Sequence, residues 1–270
     1  MAETVVLVTG ASSGFGRECA MYLKSRGYRV FGASRRCPEP SLPFETLHLD
    51  VRDDASVKRA IASVVERAGR IDVLVNVAGI CLSGATENHT IVEAHAILDT
   101  NTLGVFRMCC AALPHMRKQG SGRIVNVTSL AGLIAIPFSA LYCASKFATE
   151  GLTESLRMEV RRFGIWVSLL EPGDFLTPMT ETYAWTEASR TDTVYRTDAE
   201  RAVRIMEADC RSCSNPRLVS LRLEAILRSR RPALRYTVGM LTQRLATLVH
   251  RILPNAWFES LVRHVYRLEG

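Results

Sequence analysis

Short runs of β-branched and aliphatic residues recur along the first two thirds of the chain, each separated from the next by a stretch that reads as helix. The runs cover 4–9, 29–34, 46–49, 72–76, 123–128 and 165–170. Several, such as "VVLVT", "VLV" and "WVSLL", are apolar on both faces, the pattern of a strand covered by helices on both sides. The intervening stretches 14–26, 53–68, 91–118 and 142–163 are long enough to cross over between parallel neighbours. Alternation of this kind leaves one fold class: α/β, a doubly wound parallel sheet with right-handed crossovers.

After Pro172-Gly173 the strand pattern nearly stops. Residues 175–231 read as loops and helices, 235–239 as a last strand, and 240–268 as two amphipathic helices. The expected organisation is a single domain over 1–270. Within it, 1–171 forms the cofactor-binding and catalytic core, 172–238 the substrate-binding segments and last strand, and 239–270 a C-terminal helical extension.

The net charge of +7 resides in residues 216–270, which hold ten Arg against three Glu. The rest of the chain is balanced, so no nucleic-acid partner is expected. A solvated helical face explains the basic segment most simply; an anionic lipid surface or an acidic partner is the second reading. Of eight cysteines, Cys109 and Cys110 are adjacent and cannot easily pair. Cys210-x-x-Cys213 lacks the second half of a zinc site, so reduced thiols and no metal are expected. The N-terminus carries no cationic n-region, and no apolar run approaches the ~20 residues that span a bilayer. A cytoplasmic location follows as the expectation.

Two features carry chemistry. The first strand runs directly into Thr9-Gly10-Ala11-Ser12-Ser13-Gly14-Phe15-Gly16 and then a helix. Glycines there let backbone turn sharply and approach a pyrophosphate held at the helix N-terminus. Further on, Tyr142 and Lys146 stand four apart and therefore share a helix face. The chain has only 4 Lys beside 30 Arg, so this cation is a specific choice. A phenol with a pKa of about 10 transfers protons poorly at neutral pH, and a neighbouring cation favours its ionised form. A compact ammonium suits this position better than Arg's planar fork.

The spacing T-G-x-x-x-G-x-G at 9–16 resembles that of the short-chain dehydrogenases/reductases, in their non-extended branch. Asp50 after the third strand, Asn76-Val77-Ala78-Gly79, Asn101-Thr102-Leu103-Gly104, Ser129, Tyr142-x-x-x-Lys146 and Pro172-Gly173-x-x-x-Thr177 follow in the family's order. Val77 stands where the family has a second Asn. The resemblance implies a Rossmann fold and an oxidoreductase. Tyr142 would exchange a proton with a carbonyl or alcohol oxygen, and Lys146 would lower its pKa and hold the nicotinamide ribose. Ser129 would bond the substrate oxygen, and Asn101 would anchor a water in a proton relay. Cofactor contacts are expected from Gly10, Ser12, Ser13, Gly14, Phe15, Gly16, Asp50, Val51, Asn76, Ala78, Gly79, Pro172, Gly173, Phe175 and Thr177, as well as from Tyr142 and Lys146. Assembly into a homo-oligomer, common in the family, would use helices such as 91–118 and 142–163.

The second strand ends with Ser34, Arg35 and Arg36 rather than an acid. An acid there would bind a ribose 2′-OH, whereas Arg pairs with a 2′-phosphate. NADP(H) is favoured, with NAD(H) the alternative. The segments expected at the substrate carry Leu133, Ile136, Phe138, Leu141, Phe175, Met179, Tyr183 and Trp185, which suit a bulky hydrophobic small molecule. The helical extension resembles that of hydroxysteroid and retinol dehydrogenases, so a hydroxysteroid or bile acid is the expected substrate. Retinoids, polyketide-like compounds and small lipid carbonyls are alternatives, as is a non-catalytic nucleotide sensor. In the tail, Leu241, Leu245, Leu248, Val249 and Ile252 form one stripe and Trp257, Phe258, Leu261, Val262, Val265 and Tyr266 another. Packing on the domain is the simplest use of these stripes, peripheral membrane contact the second.

Overall fold

A computed structural model describes residues 3–36, 42–177, 184–212 and 215–268. Met179, Tyr183 and Cys213 lie outside the described residues. Seven strands form one parallel sheet: β1 (Val5–Thr9), β2 (Arg29–Ser34), β3 (Glu45–His48), β4 (Val73–Asn76), β5 (Gly122–Val127), β6 (Ile165–Pro172) and β7 (Arg235–Val238). Their spatial order is β3-β2-β1-β4-β5-β6-β7, and every pairing is parallel.

The doubly apolar strands feed two cores. Val5 and Leu7 of β1 pack into one, and Val6 and Val8 into the other. Helices α1 (Gly14–Ser25) and α8 (Arg217–Arg228) cover one face of the sheet. The opposite face is covered by α2 (Asp54–Ala68), α4 (Gly104–Gln119) and α5 (Ala140–Val160). Each fully buried Val, Leu or Ile contributes about 1.5–3 kcal/mol. This burial is what fixes the register of strands that would otherwise slip.

Local signals set the helix starts. Asp53 accepts a bond from the Ala55 amide at the head of α2, and Thr90 and Glu93 form a reciprocal capping box ahead of α3 (Ile91–Leu98). Residues 91–118, expected as one helix, are interrupted by a π turn at Asp99–Leu103 that separates α3 from α4. The run 91–119 is, by length and composition, long and apolar enough to cross a membrane, contrary to expectation. Val105, Met108, Cys109, Ala112 and Met116 account for much of that character, and all are buried against the sheet. Leu103 and Phe106 near the start of α4, and Phe147 and Met158 on α5, remain exposed.

Beyond β6 lie α6 (Glu187–Thr191) and α7 (Arg196–Ser212), and beyond β7 lie α9 (Leu241–Ile252) and α10 (Asn255–Val265). The tail corrects one expectation. Leu241, Leu245, Leu248 and Ile252 face outward, with Leu241 66% and Ile252 81% exposed. Gln243, bonded to Asp174, and buried Thr247, four residues on, face the domain instead, which rotates the apolar stripe away. Phe258 is buried with its ring 4.5 Å from that of His250, so α10 folds back on α9, while Trp257, Leu261 and Val265 stay exposed.

One ion network ties β7 to the rest. Arg235 pairs with Glu150 and Glu154 on α5 and with Glu171 on β6, the last at 2.7 Å. Glu171 is fully buried; burial first and the Glu150 charge second push its carboxyl up to about 7, against the pull of Arg235. Arg235→Met leaves Glu150 and Glu171 without their counter-charge. A stability loss of about 3–5 kcal/mol is expected, read from the denaturant midpoint at neutral pH. A loss below about 1 kcal/mol would mean that the carboxyls simply take up protons.

Candidate active site

The strand order reverses between β1 and β4, so the connections leaving their carboxyl ends diverge and open a crevice. A cleft of about 300 Å3 occupies it. At its floor Gly10 has φ of 70°, and a Cβ there would stand 3.0 Å from the Ala78 Cα and N atoms. A Cβ on Gly16 would lie 2.3 Å from the Gly10 carbonyl oxygen. Side chains at either position would push these backbones apart. Thr9 Oγ1 accepts from the amides of Val77 (3.0 Å) and Ala78 (3.1 Å), locking the glycine loop to the segment after β4.

The loop fits a pyrophosphate. Ser13 occupies the N-cap of α1, where its hydroxyl makes no capping bond among the described residues, and the first turn carries no acid. The positive end of the helix therefore faces the cleft lined by Ser12, Ser13, Gly14 and Phe15. Phe15 meets Phe175 edge-on, ring centroids 5.5 Å apart, closing that side.

Ser34, Arg35 and Arg36 line the far end, with both arginines exposed and the Ser34 hydroxyl donating to the Arg36 carbonyl. Asp50 also lines it, gripped by Arg52 through two bonds of 2.8 and 3.0 Å. Those bonds, aided by the charge of Arg35, hold the Asp50 carboxyl down at about 2. Arg52 was not foreseen: three arginines, not two, gather here. Val51, Ala78, Gly79, Pro172, Gly173 and Thr177 line the cleft. Asn76 does not: its amide donates to Asn126 (2.8 Å) on the neighbouring strand, so it braces β4 against β5. Of the residues expected at the substrate, Ile136 and Phe175 reach the cleft; Leu133, Phe138, Leu141 and Trp185 are not in its lining.

Ser129, Tyr142 and Lys146 converge on one wall. Ser129 caps a short turn by accepting from the Ala131 amide at 3.1 Å and donates to the Pro172 carbonyl at 3.4 Å. Lys146 donates to the Val127 carbonyl (3.1 Å), its Nζ 5.6 Å from the centre of the Tyr142 ring. Asn101 sits one layer behind, buried in the π turn. Its amide donates to the Ile80 carbonyl (2.8 Å) and to Ser145 Oγ (3.0 Å), and its oxygen accepts from the Ile80 amide (2.8 Å). The Asn101 side chain thus shapes the Ile80 backbone.

Burial governs both ionisations. It pushes the Tyr142 phenol above its ordinary value, with the charges of Cys81 and Asp174 adding and Ser129 opposing. It lowers the Lys146 ammonium to about 8, against the pull of Glu150. Desolvation in the cleft is thus the largest influence on the phenol and on the ammonium alike.

The family model for short chain dehydrogenase matches residues 4–188. The chain belongs to the short-chain dehydrogenase family. A 3-ketodihydrosphingosine reductase of Bacteroides thetaiotaomicron is 37% identical over 268 residues, 99% of this chain and 100% of that protein. The human 17-beta-hydroxysteroid dehydrogenase type 1 is 36% identical over 292 residues, 99% of this chain and 86% of its own length. An actinorhodin polyketide ketoreductase, solved with NADPH, superposes with a TM-score of 0.73 at 32% identity, covering 87% of this chain and 95% of that one. As a short-chain dehydrogenase, the chain adds to the expected set Thr9, Arg52, Cys81, Asp174 and Met206, all but Thr9 in the cleft lining. Asp174 was within reach of sequence reasoning, since it directly follows Pro172-Gly173; Met206 carried no local signal.

Proposed function

We propose that this protein is an NADP(H)-dependent oxidoreductase that interconverts a secondary alcohol and a ketone on a bulky hydrophobic substrate. The observation that carries this is the convergence of Ser129, Tyr142 and Lys146 on the cleft that also holds the glycine loop. A nucleotide sensor needs the loop but not the Ser–Tyr–Lys wall.

In the reducing direction Tyr142 donates its phenolic proton to the carbonyl oxygen while Ser129 donates a hydrogen bond to the same oxygen. Lys146 stabilises the resulting phenolate and holds the nicotinamide ribose. Asn101 acts as a positioning residue through Ile80. The bound nicotinamide supplies the hydride, or accepts it in the reverse direction. General acid catalysis is worth about 10²–10⁴-fold. Tyr142→Phe should accordingly lower kcat by at least about 100-fold while cofactor affinity, read by fluorescence titration, stays within about 3-fold. Retained turnover would remove Tyr142 from this role.

NADP(H) is the favoured cofactor: Arg35, Arg36 and Arg52 gather where an acid would select NAD(H), and the similar ketoreductase was solved with NADPH. Arg35→Asp should raise the KM for NADPH by about 10-fold or more and improve the use of NADH, by loss of a charge-assisted pair. An unchanged preference would place phosphate recognition elsewhere, with Arg52 next in line.

Ile136, Phe175 and Met206 support a large apolar substrate. A hydroxysteroid or bile acid accords with the human relative. A long-chain lipid ketone is the second reading, favoured by end-to-end similarity to the 3-ketodihydrosphingosine reductase and by the apolar stripe exposed on the tail. Arg244, Arg251 and Arg263 accompany that stripe, which supports peripheral contact with anionic lipid in a cytoplasmic setting. The exposed side chains of α4 and α5 support homo-oligomeric assembly. One paired measurement separates these surfaces. The full chain should float with anionic vesicles and scatter light as a multiple of 30.0 kDa, and Leu245→Asp with Ile252→Asp should abolish flotation without altering mass. A loss of mass in that variant would assign the tail to assembly.

A further inference from the structure

Helix α5 brings three polar side chains, each one turn from the next, to the end of β5. Tyr142 and Lys146 line the cleft; Glu150, the next along that face, does not. Lys146 donates to the Val127 carbonyl (3.1 Å), and Glu150 Oε1 accepts from the hydroxyl of Thr128, the residue immediately before Ser129. The turn that follows Ser129 closes on the same stretch of helix. A Cβ on Gly132 would stand 3.1 Å from Glu150 Cγ and 3.2 Å from the Lys146 carbonyl. Two buried side chains of α5 therefore clamp the strand end and turn that carry Ser129.

Thr128 donates to one oxygen of Glu150 and Arg235 of β7 to the other, the donor arrangement of an ionised carboxylate. Burial pushes the Glu150 carboxyl above its ordinary range, and these two donors oppose that shift. Arg235 also serves Glu154 on α5 and Glu171 on β6, so one guanidinium is shared among three carboxyls. The groups that face Lys146 are Tyr142 and Glu150 from α5, Cys81 from the segment after β4 and Ser129 from the end of β5. Burial pushes the Cys81 thiol up to about 12 and the Tyr142 phenol above its ordinary value. Near neutrality Glu150 is therefore the anion of that set. The Asp174 charge bears on Tyr142 instead.

We infer that Glu150 is a positioning residue for the reaction: it holds Ser129 in place through Thr128 and supplies the buried anion behind Lys146. This rests on the oxidoreductase function proposed above and extends its machinery by one turn of α5 and, through Arg235, to β6 and β7. The two actions are separable. Without the Thr128 hydroxyl, Glu150 keeps its charge but loses its hold on the strand end. With Gln at 150, an amide oxygen still accepts from Thr128 while the charge is gone. Burial lowers the Lys146 ammonium and the Glu150 charge opposes it, so without that charge the proton is lost at lower pH.

The first measurement needs neither cofactor nor turnover. Competitive labelling of the full chain with acetic anhydride, followed by mass spectrometry at Lys146, reads the pH at which that amine loses its proton. In Glu150→Gln this midpoint should fall by about one pH unit or more. The alkaline limb of kcat/KM for NADPH-dependent ketone reduction should move with it. Thr128→Val should lower kcat by about 10-fold, with the ketone KM within about 3-fold and the alkaline limb unmoved. Thr128→Ser should restore kcat, which a purely steric effect of the valine would equally require only if the hydroxyl were irrelevant. An unmoved Lys146 midpoint in Glu150→Gln overturns the inference. So does a Thr128→Val variant that turns over like the wild type, a test that stands even where Glu150→Gln fails to fold. If the wild type neither binds NADPH nor reduces a ketone, yet the labelling midpoint shifts, the coupling of Glu150 to Lys146 stands and the oxidoreductase function falls.

Discussion

The site depends on the close approach of two backbones that leave adjacent strands. β1 and β4 pair in register from Val6 with Val73 to Val8 with Val75, and their connections then separate. Thr9 bridges the gap with one hydroxyl that accepts from two amides, and Gly10 allows the contact because no Cβ intervenes. Hydrogen bonds of this kind contribute about 0.5–1.5 kcal/mol each. Their larger effect is geometric. They hold the glycine loop, the N-terminus of α1 and the 77–79 segment as one rigid wall, against which Lys146 and Ser129 are presented from α5 and the end of β5.

The opposite wall is built from buried polar groups, each supported from behind. Asn101 fixes Ile80, Thr149 donates to the Asn101 carbonyl, and Asn126 donates to Thr153 while accepting from Asn76. Chains of satisfied polar groups like these rigidify a core where a single unpaired group would be costly. The π turn at Asp99–Leu103 belongs to this arrangement, because it carries Asn101 inward to meet Ile80. Burial of Tyr142 and Lys146 sets their ionisations against each other, the phenol too weak an acid and the ammonium too strong. Proton transfer between Tyr142 and a substrate oxygen thus depends on what shares the cleft with them.

The strands were legible because covered parallel strands are apolar on both faces, and all seven begin and end within a residue or two of where the pattern put them. The glycine loop was legible from its strand–turn–helix setting, and Tyr142 and Lys146 from their spacing, whereas Ser129 came from the family resemblance alone. What escaped was whatever depends on side-chain direction. Asn76 shares its motif with Ala78 and Gly79, yet strand alternation turns it toward Asn126 rather than the cleft. The stripe at 241, 245, 248 and 252 has helical period, and periodicity cannot say which face is inward. Gln243, a polar residue with no periodic signal, decided that.

Gln243 links the tail to the chemistry. Its amide engages Asp174 from both ends, so the orientation of α9 and that of the acid beside Tyr142 are one geometric variable. The same rotation exposes the apolar stripe to solvent, beside a cleft whose own lining is partly apolar. A lipid surface that engages the stripe would act on the helix that holds Asp174. Recruitment to an interface and the geometry of the cleft wall at Asp174 would then operate through a single helix.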